Sequence, residues 1–115
     1  MTAPPPDGPI VTVFRSRLRE GAGPEYEPLA ERMLSLARTM EGFVDFASFR
    51  ADDGERLSLI TFASTQTHRA WRDHPEHRVA QAAGRQRLYE EFSIQVCRCE
   101  HELRFAAPPP AGAAG

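Results

Sequence analysis

Four stretches of the chain alternate apolar and polar positions or are rich in β-branched residues, as β-strands are. Residues Ile10–Leu18 predict the first strand, and residues 43–51 and 56–63 predict the second and third. The run Asp-Asp-Gly-Glu at positions 52–55 has the chemistry of a turn, so the second and third strands should form a hairpin. Residues 92–105 predict a fourth strand.

Between the first two strands, apolar positions recur at helical spacing. Pro24 suits a first helical turn, and the helix that it begins extends to about Met40. Gly42 is placed to end this helix in a left-handed turn. The apolar positions of the helix are Tyr26, Leu29, Ala30, Met33, Leu34, Ala37 and Met40.

The second helical region is predicted in two pieces. Ser64 can cap a helix over residues 65–73. Pro75 disfavours helix at His74, which predicts a break there. The second piece runs from Pro75 to about residue 91.

The predicted order, β-α-β-β-α-β, is that of a ferredoxin-like α+β domain, with a four-stranded antiparallel sheet on one side and helices on the other. At 115 residues the chain suits one domain, which we place at residues 10–105. Proline is concentrated in residues 4–9 and 108–110. We therefore expect residues 1–9 and 106–115 to be disordered tails.

The predicted strands carry apolar residues on both faces. In the first strand, Phe14 lies on one face and Val11 and Val13 on the other. Since a two-layer domain covers only one face of its sheet, the second face needs a cover. We expect a second copy of the chain to supply it, which gives a homodimer through the sheet. The alternative is that the tails or helix ends fold over that face.

Composition and net charge limit the kinds of partner that the chain is expected to bind. A formal net charge of −2 argues against a nucleic-acid-binding protein. The sequence shows no membrane-spanning run and no secretory signal, so we expect a cytoplasmic location. Cys97 and Cys99 share one face of the predicted strand, where a disulfide would be strained, and free thiols are expected. With His101 they form a conceivable soft-metal site, but the spacing is not that of a zinc motif, and we expect no metal.

Residues 71–96, W-R-D-H-P-E-H-R-V-A-Q-A-A-G-R-Q-R-L-Y-E-E-F-S-I-Q-V, resemble the antibiotic biosynthesis monooxygenase family. The shared features are a tryptophan on the short helix, a His-Pro turn, a further histidine, a Gly-Arg step and an aromatic residue before the last strand. The run Met-Glu-Gly-Phe at 40–43 resembles the family's glycine-aromatic step. The resemblance implies a dimeric α+β barrel. The family's activities include cofactor-free oxygenation of polyphenols, haem degradation and quinol oxygenation.

The haem-degrading branch of the family is similar in having an asparagine in the first strand, the tryptophan, and a haem-ligating histidine ten positions after it. The tryptophan is matched by Trp71. Phe14 stands at the asparagine position and Gln81 at the histidine position. Because glutamine is a poor axial ligand for iron, this comparison disfavours haem.

The polyketide-oxygenase branch keeps the tryptophan and has a tyrosine six positions later, where this chain has His77. This resemblance implies an oxygenase without a cofactor, in which a base deprotonates an electron-rich phenol, anthrone or enol so that the anion can reduce dioxygen. Imidazole titrates near neutral pH, so His74 or His77 could be that base. The alternative is that His74 caps the helix break and His77 is solvated.

The predicted site therefore combines catalytic residues with residues that bind a small aromatic substrate. The catalytic set is Trp71, His74 and His77, and the substrate-binding set is Phe14, Phe62, Thr67, His68 and Tyr89, with Tyr89 on the sheet-facing side of the last helix. For the aromatic members, plain core packing is the alternative.

The leading hypothesis is a cofactor-independent oxygenase that acts on an aromatic polyketide-like or phenolic small molecule, with dioxygen as co-substrate. Two alternatives stay open. One is a non-oxidative cyclase or isomerase that uses the same pocket, and the other is a non-catalytic accessory protein that binds a small molecule.

Overall fold

The computed structural model describes residues 8–110 and residue 112. The tail predictions for residues 1–7, 111 and 113–115 lie outside these described residues. The elements follow in the order β1 (Ile10–Leu18), α1 (Gly23–Thr39), β2 (Phe43–Arg50), β3 (Arg56–Phe62), α2 (Thr65–Arg72), α3 (Pro75–Ala83), a π-helical turn (Gly84–Leu88) and β4 (Tyr89–Arg98). None of the helices in the described part of the chain has the length and hydropathy to cross a bilayer.

The four strands form one antiparallel sheet in the order β2-β3-β1-β4, which confirms the predicted ferredoxin-like α+β fold. The register places Phe14 of β1 opposite Ser58 of β3 and Ile94 of β4. Side chains at paired positions of neighbouring strands share a face. Thr12 and Phe14 therefore face the helices, and Val13 faces away from them.

The helix ends follow the predicted local chemistry. Gly42 has a φ of 83°, the left-handed conformation expected after α1. Ser64 caps α2: its hydroxyl accepts a hydrogen bond from the Thr67 N–H at 3.1 Å, and the Thr67 hydroxyl lies 3.2 Å from the Ser64 N–H. The predicted break at His74 separates α2 from α3.

The last helical piece and the last strand differ from the prediction. The α-helix ends at Ala83 rather than near residue 91, and the chain leaves it through the π-helical turn. The Tyr89 ring packs so closely on Gly84 that a Cβ there would lie 2.7 Å from it. The strand β4 begins at Tyr89, three residues before its predicted start. The strand also ends at Arg98 rather than near residue 105, because Arg98 pairs with Ile10, the first residue of β1.

The shorter strand changes the setting of the two cysteines. Cys97 lies in β4, whereas Cys99 and His101 lie beyond it, so the predicted alternation of all three on one strand face is wrong. Both thiols are free. Within residues 8–110 and 112, no group of three or more His, Cys, Asp or Glu side chains is arranged to hold a metal ion.

The apolar interior is divided into two clusters. One contains Ala37, Phe62 and Trp71, and the other contains Ala83 and Leu88. Residues of both clusters line the same cavity, which lies between the helices and the sheet. The fold therefore holds an internal space where a continuous core would otherwise pack.

Candidate active site

The cavity has a volume of about 520 Å³, within the usual range for small-molecule sites. Its wall on the sheet side includes Phe92, Ile94 and Val96 of β4. These three side chains stay 37%, 50% and 54% exposed although they lie on the helix-facing side of the sheet. The cavity therefore opens along the β4 edge, which the helices leave uncovered.

Trp71 forms one wall of the cavity, as predicted from its place on the short helix α2. Its side chain is 6% exposed. The indole stacks on Phe62 with ring centroids 6.3 Å apart and on His77 with centroids 3.9 Å apart. Trp71 is thus held between a fully buried core residue and a titratable ring.

Of the two histidines predicted to be catalytic, His77 lines the cavity. Its Nδ1 lies 3.0 Å from the backbone carbonyl oxygen of Trp71. A carbonyl only accepts hydrogen bonds, so Nδ1 carries the proton and Nε2 of the neutral ring keeps a free lone pair. Burial lowers the pKa of His77 below its ordinary value of 6.5, against the opposing effect of the Trp71 carbonyl. His77 is therefore neutral at neutral pH and able to accept a proton at Nε2.

His74 has a different place. Its Nδ1 accepts a hydrogen bond from the Glu76 N–H at 3.1 Å, which caps α3. His74 is not one of the described residues that form the cavity wall. The assignment of His74 to the catalytic set is therefore corrected. Its ring caps α3 at the helix break, which was the alternative interpretation.

Two buried polar atoms at the cavity wall lack a hydrogen-bond partner among the described residues. They are Nδ1 of His68, a side chain that is 7% exposed, and Oγ1 of Thr12. Burial lowers the pKa of His68, with smaller contributions from Arg72 and Arg69. Buried polar groups are normally satisfied, so these two atoms are placed to bind a polar group of a ligand.

Phe14 belongs to an aromatic cluster in the same cavity. Its ring lies 5.4 Å from that of Tyr89 and 5.7 Å from that of Phe92, and the Tyr26 ring lies 6.0 Å from Tyr89. All four side chains line the cavity. The cluster provides a flat, apolar surface that suits an aromatic ligand.

Tyr89 was predicted on a helix, but it is the first residue of β4, and it reaches the cavity from the sheet. Burial raises its pKa well above the usual value of 10, and a side-chain hydrogen bond with Tyr26 adds to the shift. Tyr89 therefore stays protonated and can donate or accept a hydrogen bond, but it is a poor base.

Two other predicted substrate-binding residues lie outside the cavity wall. Phe62 is 0% exposed and packs behind Trp71 and against Phe43, where a ligand cannot reach it. The Thr67 hydroxyl is used in the cap of α2, bonded to the Ser64 backbone. Both assignments are corrected, since one side chain belongs to the core and the other to a helix cap.

Sequence reasoning missed Thr12 and Tyr26. Thr12 is a polar residue on the inward face of β1, between Ile10 and Phe14, and that interruption of the apolar pattern was the available signal. Tyr26 was visible only as one of many periodic positions of α1. Tyr26 contacts the ring of Tyr89 in the cavity, and no local sequence pattern predicts that contact.

Charged residues cluster where the cavity meets solvent. Asp73 binds Arg72 and Arg78 with N–O distances of 3.0 Å and 2.9 Å. The Arg85 guanidinium lies 5.9 Å from the centre of the Phe92 ring. The cavity thus has an apolar interior, two histidines in its wall, His68 and His77, and a charged rim.

Comparison with known proteins agrees with this architecture. Residues 9–83 match the sequence profile of a family described as antibiotic biosynthesis monooxygenase. The protein YqjZ of Bacillus subtilis (strain 168), which is uncharacterised, is 31% identical over 100 residues, covering 87% of this chain and 88% of that protein.

Solved structures show the same fold at lower identity. Rv0793 from Mycobacterium tuberculosis superposes with a TM-score of 0.75 at 18% identity, covering 84% of this chain and all of that one. SnoaB from Streptomyces nogalater, a cofactor-independent oxygenase, superposes with a TM-score of 0.71 at 18% identity, covering 84% of this chain and 97% of that one. The profile match spans most of the folded domain, and the chain belongs to the antibiotic biosynthesis monooxygenase family.

Proposed function

We propose that this chain is a cofactor-independent oxygenase of an aromatic polyketide-like or phenolic small molecule. The observation that carries the proposal is the state of His77: it lies in an apolar cavity, stacks on Trp71, and is held by the Trp71 carbonyl in the tautomer that leaves Nε2 free. A phenol or anthrone must be deprotonated before it can react with dioxygen, and a base of this kind can take that proton.

The reaction begins with proton transfer from the substrate to Nε2 of His77. The resulting carbanion or phenolate gives one electron to dioxygen, and the substrate radical and superoxide combine to form a carbon–oxygen bond. The His77 proton then goes to the peroxide oxygen. For an anthrone, the hydroperoxide loses water to give the quinone, so that one anthrone and one dioxygen yield one anthraquinone and one water.

The cavity supports this chemistry by its shape and polarity. Phe14, Tyr26, Tyr89 and Phe92 offer aromatic faces on which a fused-ring substrate can lie. Thr12 and His68 offer polar atoms without partners among the described residues, which can bind a substrate hydroxyl or carbonyl. When a substrate fills the cavity, the apolar walls limit the water around the radical pair, which favours recombination over escape of superoxide.

Family membership adds support, and so does the similarity in fold to SnoaB, which is a cofactor-independent oxygenase. Proteins with the same fold catalyse many different reactions, so the argument for an oxygenase rests on the residues of this cavity. The substitution of His77 for the tyrosine of the polyketide-oxygenase branch keeps a hydrogen-bonding ring and adds a group that titrates near neutral pH.

The test is dioxygen uptake with 1,8-dihydroxyanthrone as the probe, after dialysis of the protein against a metal chelator. The proposal predicts consumption of one dioxygen per quinone formed, without release of hydrogen peroxide. Conversion of the probe at an equal rate under argon would identify a cyclase or isomerase instead. Binding of the probe with no turnover would favour the accessory protein.

We also propose that the protein works as a homodimer through the outer face of its sheet. Val11, Val13, Leu57 and Leu59 lie on that face, away from the helices. An apolar sheet face needs a cover, and a second copy provides one of matching shape.

A further inference from the structure

The cavity wall is positively charged although the chain as a whole is negative. The charged side chains among its described lining residues are Arg72, Asp73, Arg78 and Arg85. Three cations against one carboxylate leave an excess of two positive charges, whereas the formal net charge of the chain is −2. Such a local reversal favours an anionic ligand.

Arg85 is the cation of this set that lacks an acidic partner. Asp73 binds both Arg72 and Arg78, at 3.0 Å and 2.9 Å. In residues 8–110 and 112 no carboxylate forms an ion pair with Arg85, whose guanidinium lies over the Phe92 ring. Neighbouring Arg87, by contrast, is bonded to Glu25 and lies outside the cavity wall. The guanidinium of Arg85 is therefore available to a ligand in the cavity mouth.

The spacing of His77 and Arg85 along the helical segment gives the axial distance between them. His77, Gln81 and Arg85 follow one another at intervals of four residues along α3 and the π-helical turn, and all three line the cavity. Residues at that spacing lie on one side of a helix. At a rise of 1.5 Å per residue, the Cα atoms of His77 and Arg85 are about 12 Å apart along the axis. Two or three fused aromatic rings span a distance of this order.

From these observations we propose that the substrate is an aromatic acid, with a carboxylate that Arg85 binds at the opposite end of the ring system from the group that His77 deprotonates. This inference rests on the proposed oxygenase function. The axial separation assigns the two residues to different ends of the substrate: His77 takes the proton, and Arg85 orients the molecule. A guanidinium binds a carboxylate through two parallel hydrogen bonds, which fixes direction as well as position.

The experiment compares three probes by isothermal titration calorimetry. In 6-hydroxy-2-naphthoate the hydroxyl and carboxylate lie at opposite ends of the rings. The compound 6-hydroxy-2-naphthamide replaces the charge with a neutral group of similar shape, and 3-hydroxy-2-naphthoate places both groups at the same end. We expect the first to bind about tenfold to a hundredfold more tightly than the amide, as a charge-assisted hydrogen-bonded pair allows, and more tightly than the 3-hydroxy isomer.

Arg85→Gln should abolish the preference for the acid over the amide, and Arg87→Gln, a change in the same helical turn, should retain it. The inference is overturned if the wild-type protein does not bind the acid more tightly than the amide, or does not bind the acid below millimolar concentration. It is also overturned if Arg85→Gln still binds the acid more tightly than the amide. The assay needs no dioxygen and no turnover. If the protein shows the Arg85-dependent preference but does not oxygenate the anthrone, the proposed function is refuted and this inference is not. If it oxygenates the anthrone without that preference, only this inference is refuted.

Discussion

Trp71 and His77 stack with ring centroids 3.9 Å apart and an angle of 15° between their planes, and the backbone carbonyl of Trp71 lies 3.0 Å from Nδ1 of His77. The same residue thus fixes both the orientation of the imidazole and its tautomer. Because Trp71 lies in the last turn of α2 and His77 lies in α3, the break at His74 is what allows the two rings to meet. The base of the proposed reaction is therefore positioned by the interruption of the second helix.

The two histidines of the cavity wall, His68 and His77, predict how stability depends on pH. Burial lowers the pKa of both His68 and His77 below 6.5 in the folded state. The unfolded chain then binds more protons than the folded chain between about pH 6.5 and the lowered pKa values, so the free energy of unfolding should fall as the pH drops through this window. At a pH well above 6.5, where the two histidines are neutral in both the folded and the unfolded chain, they contribute no slope.

Urea unfolding between pH 7.5 and pH 5.5 tests this, with His77→Gln as the comparison because glutamine can still donate to the Trp71 carbonyl. The variant should lose stability less steeply than the wild-type protein as the pH falls. Equal slopes would show that His77 is not held neutral by burial. The measurement stays above pH 5, since the exposed carboxylates with lowered pKa values, such as Glu55 and Glu76, titrate below that range.

Gly42 should tolerate no side chain. Its φ is 83°, and a Cβ there would lie 2.5 Å from the Thr67 side chain, which is fixed by the α2 cap. Gly54 is a matched control, with a φ of 90° but no neighbour within 4 Å of a Cβ. Gly54→Ala should lower the free energy of unfolding by about 1–2 kcal/mol through backbone strain alone, and Gly42→Ala by about 1–3 kcal/mol more through overlap. Similar losses for the two variants in chemical denaturation would contradict the close approach of Gly42 and Thr67.

The outer sheet face carries the prediction of a homodimer. Val13 lies on that face, paired with Leu59 of β3 and Gln95 of β4. If a second copy covers the face, Val13→Asp buries a carboxylate without a partner and should dissociate the dimer. Val79→Asp is the control, since Val79 is 71% exposed on α3. Multi-angle light scattering at micromolar concentration should show a dimer for the wild type and the control; a monomeric wild-type protein would refute the prediction.

The purified protein should not bind haem stoichiometrically. Phe14 and Gln81 stand at two positions that the haem-degrading branch uses, and both line the cavity. The Gln81 amide donates to the Arg72 carbonyl at 3.3 Å, so its side chain is already engaged. Titration with haem should give no Soret band that saturates at one equivalent. A saturating band, with turnover to a biliverdin-like product under reductant, is the outcome that would reverse this expectation.

Most of the fold could be predicted because each element carries its own local signal. The strand alternation of β1, the Asp-Gly turn after β2, the Ser64 cap and Pro75 all act within a few residues of the boundaries that they set. The end of α3 could not be predicted in this way, since it depends on the contact between Gly84 and the Tyr89 ring. The end of β4 depends on where β1 begins, which is set by pairing and not by the sequence of β4 itself.

The site was predicted in part for the same reason. Motifs pointed to Trp71 and His77, and the strand pattern pointed to Phe14; all three line the cavity. Phe62 looked equivalent to Phe14, but the register places it opposite Ile10, behind Trp71, where the core closes. His74 and His77 flank the same proline, and only the three-dimensional arrangement decides that one caps a helix and the other faces the cavity.

The central claim is that His77 is the general base of an oxygenase that needs no cofactor. The most direct test is dioxygen uptake with 1,8-dihydroxyanthrone for the wild-type protein, His77→Ala and His74→Ala, each shown to be folded by circular dichroism. We expect His77→Ala to lower kcat/KM by about 10²–10⁴-fold, the range for loss of a general base, and His74→Ala to keep most of the activity because its ring only caps α3. Wild-type turnover in His77→Ala, or a larger loss in His74→Ala, would contradict the account.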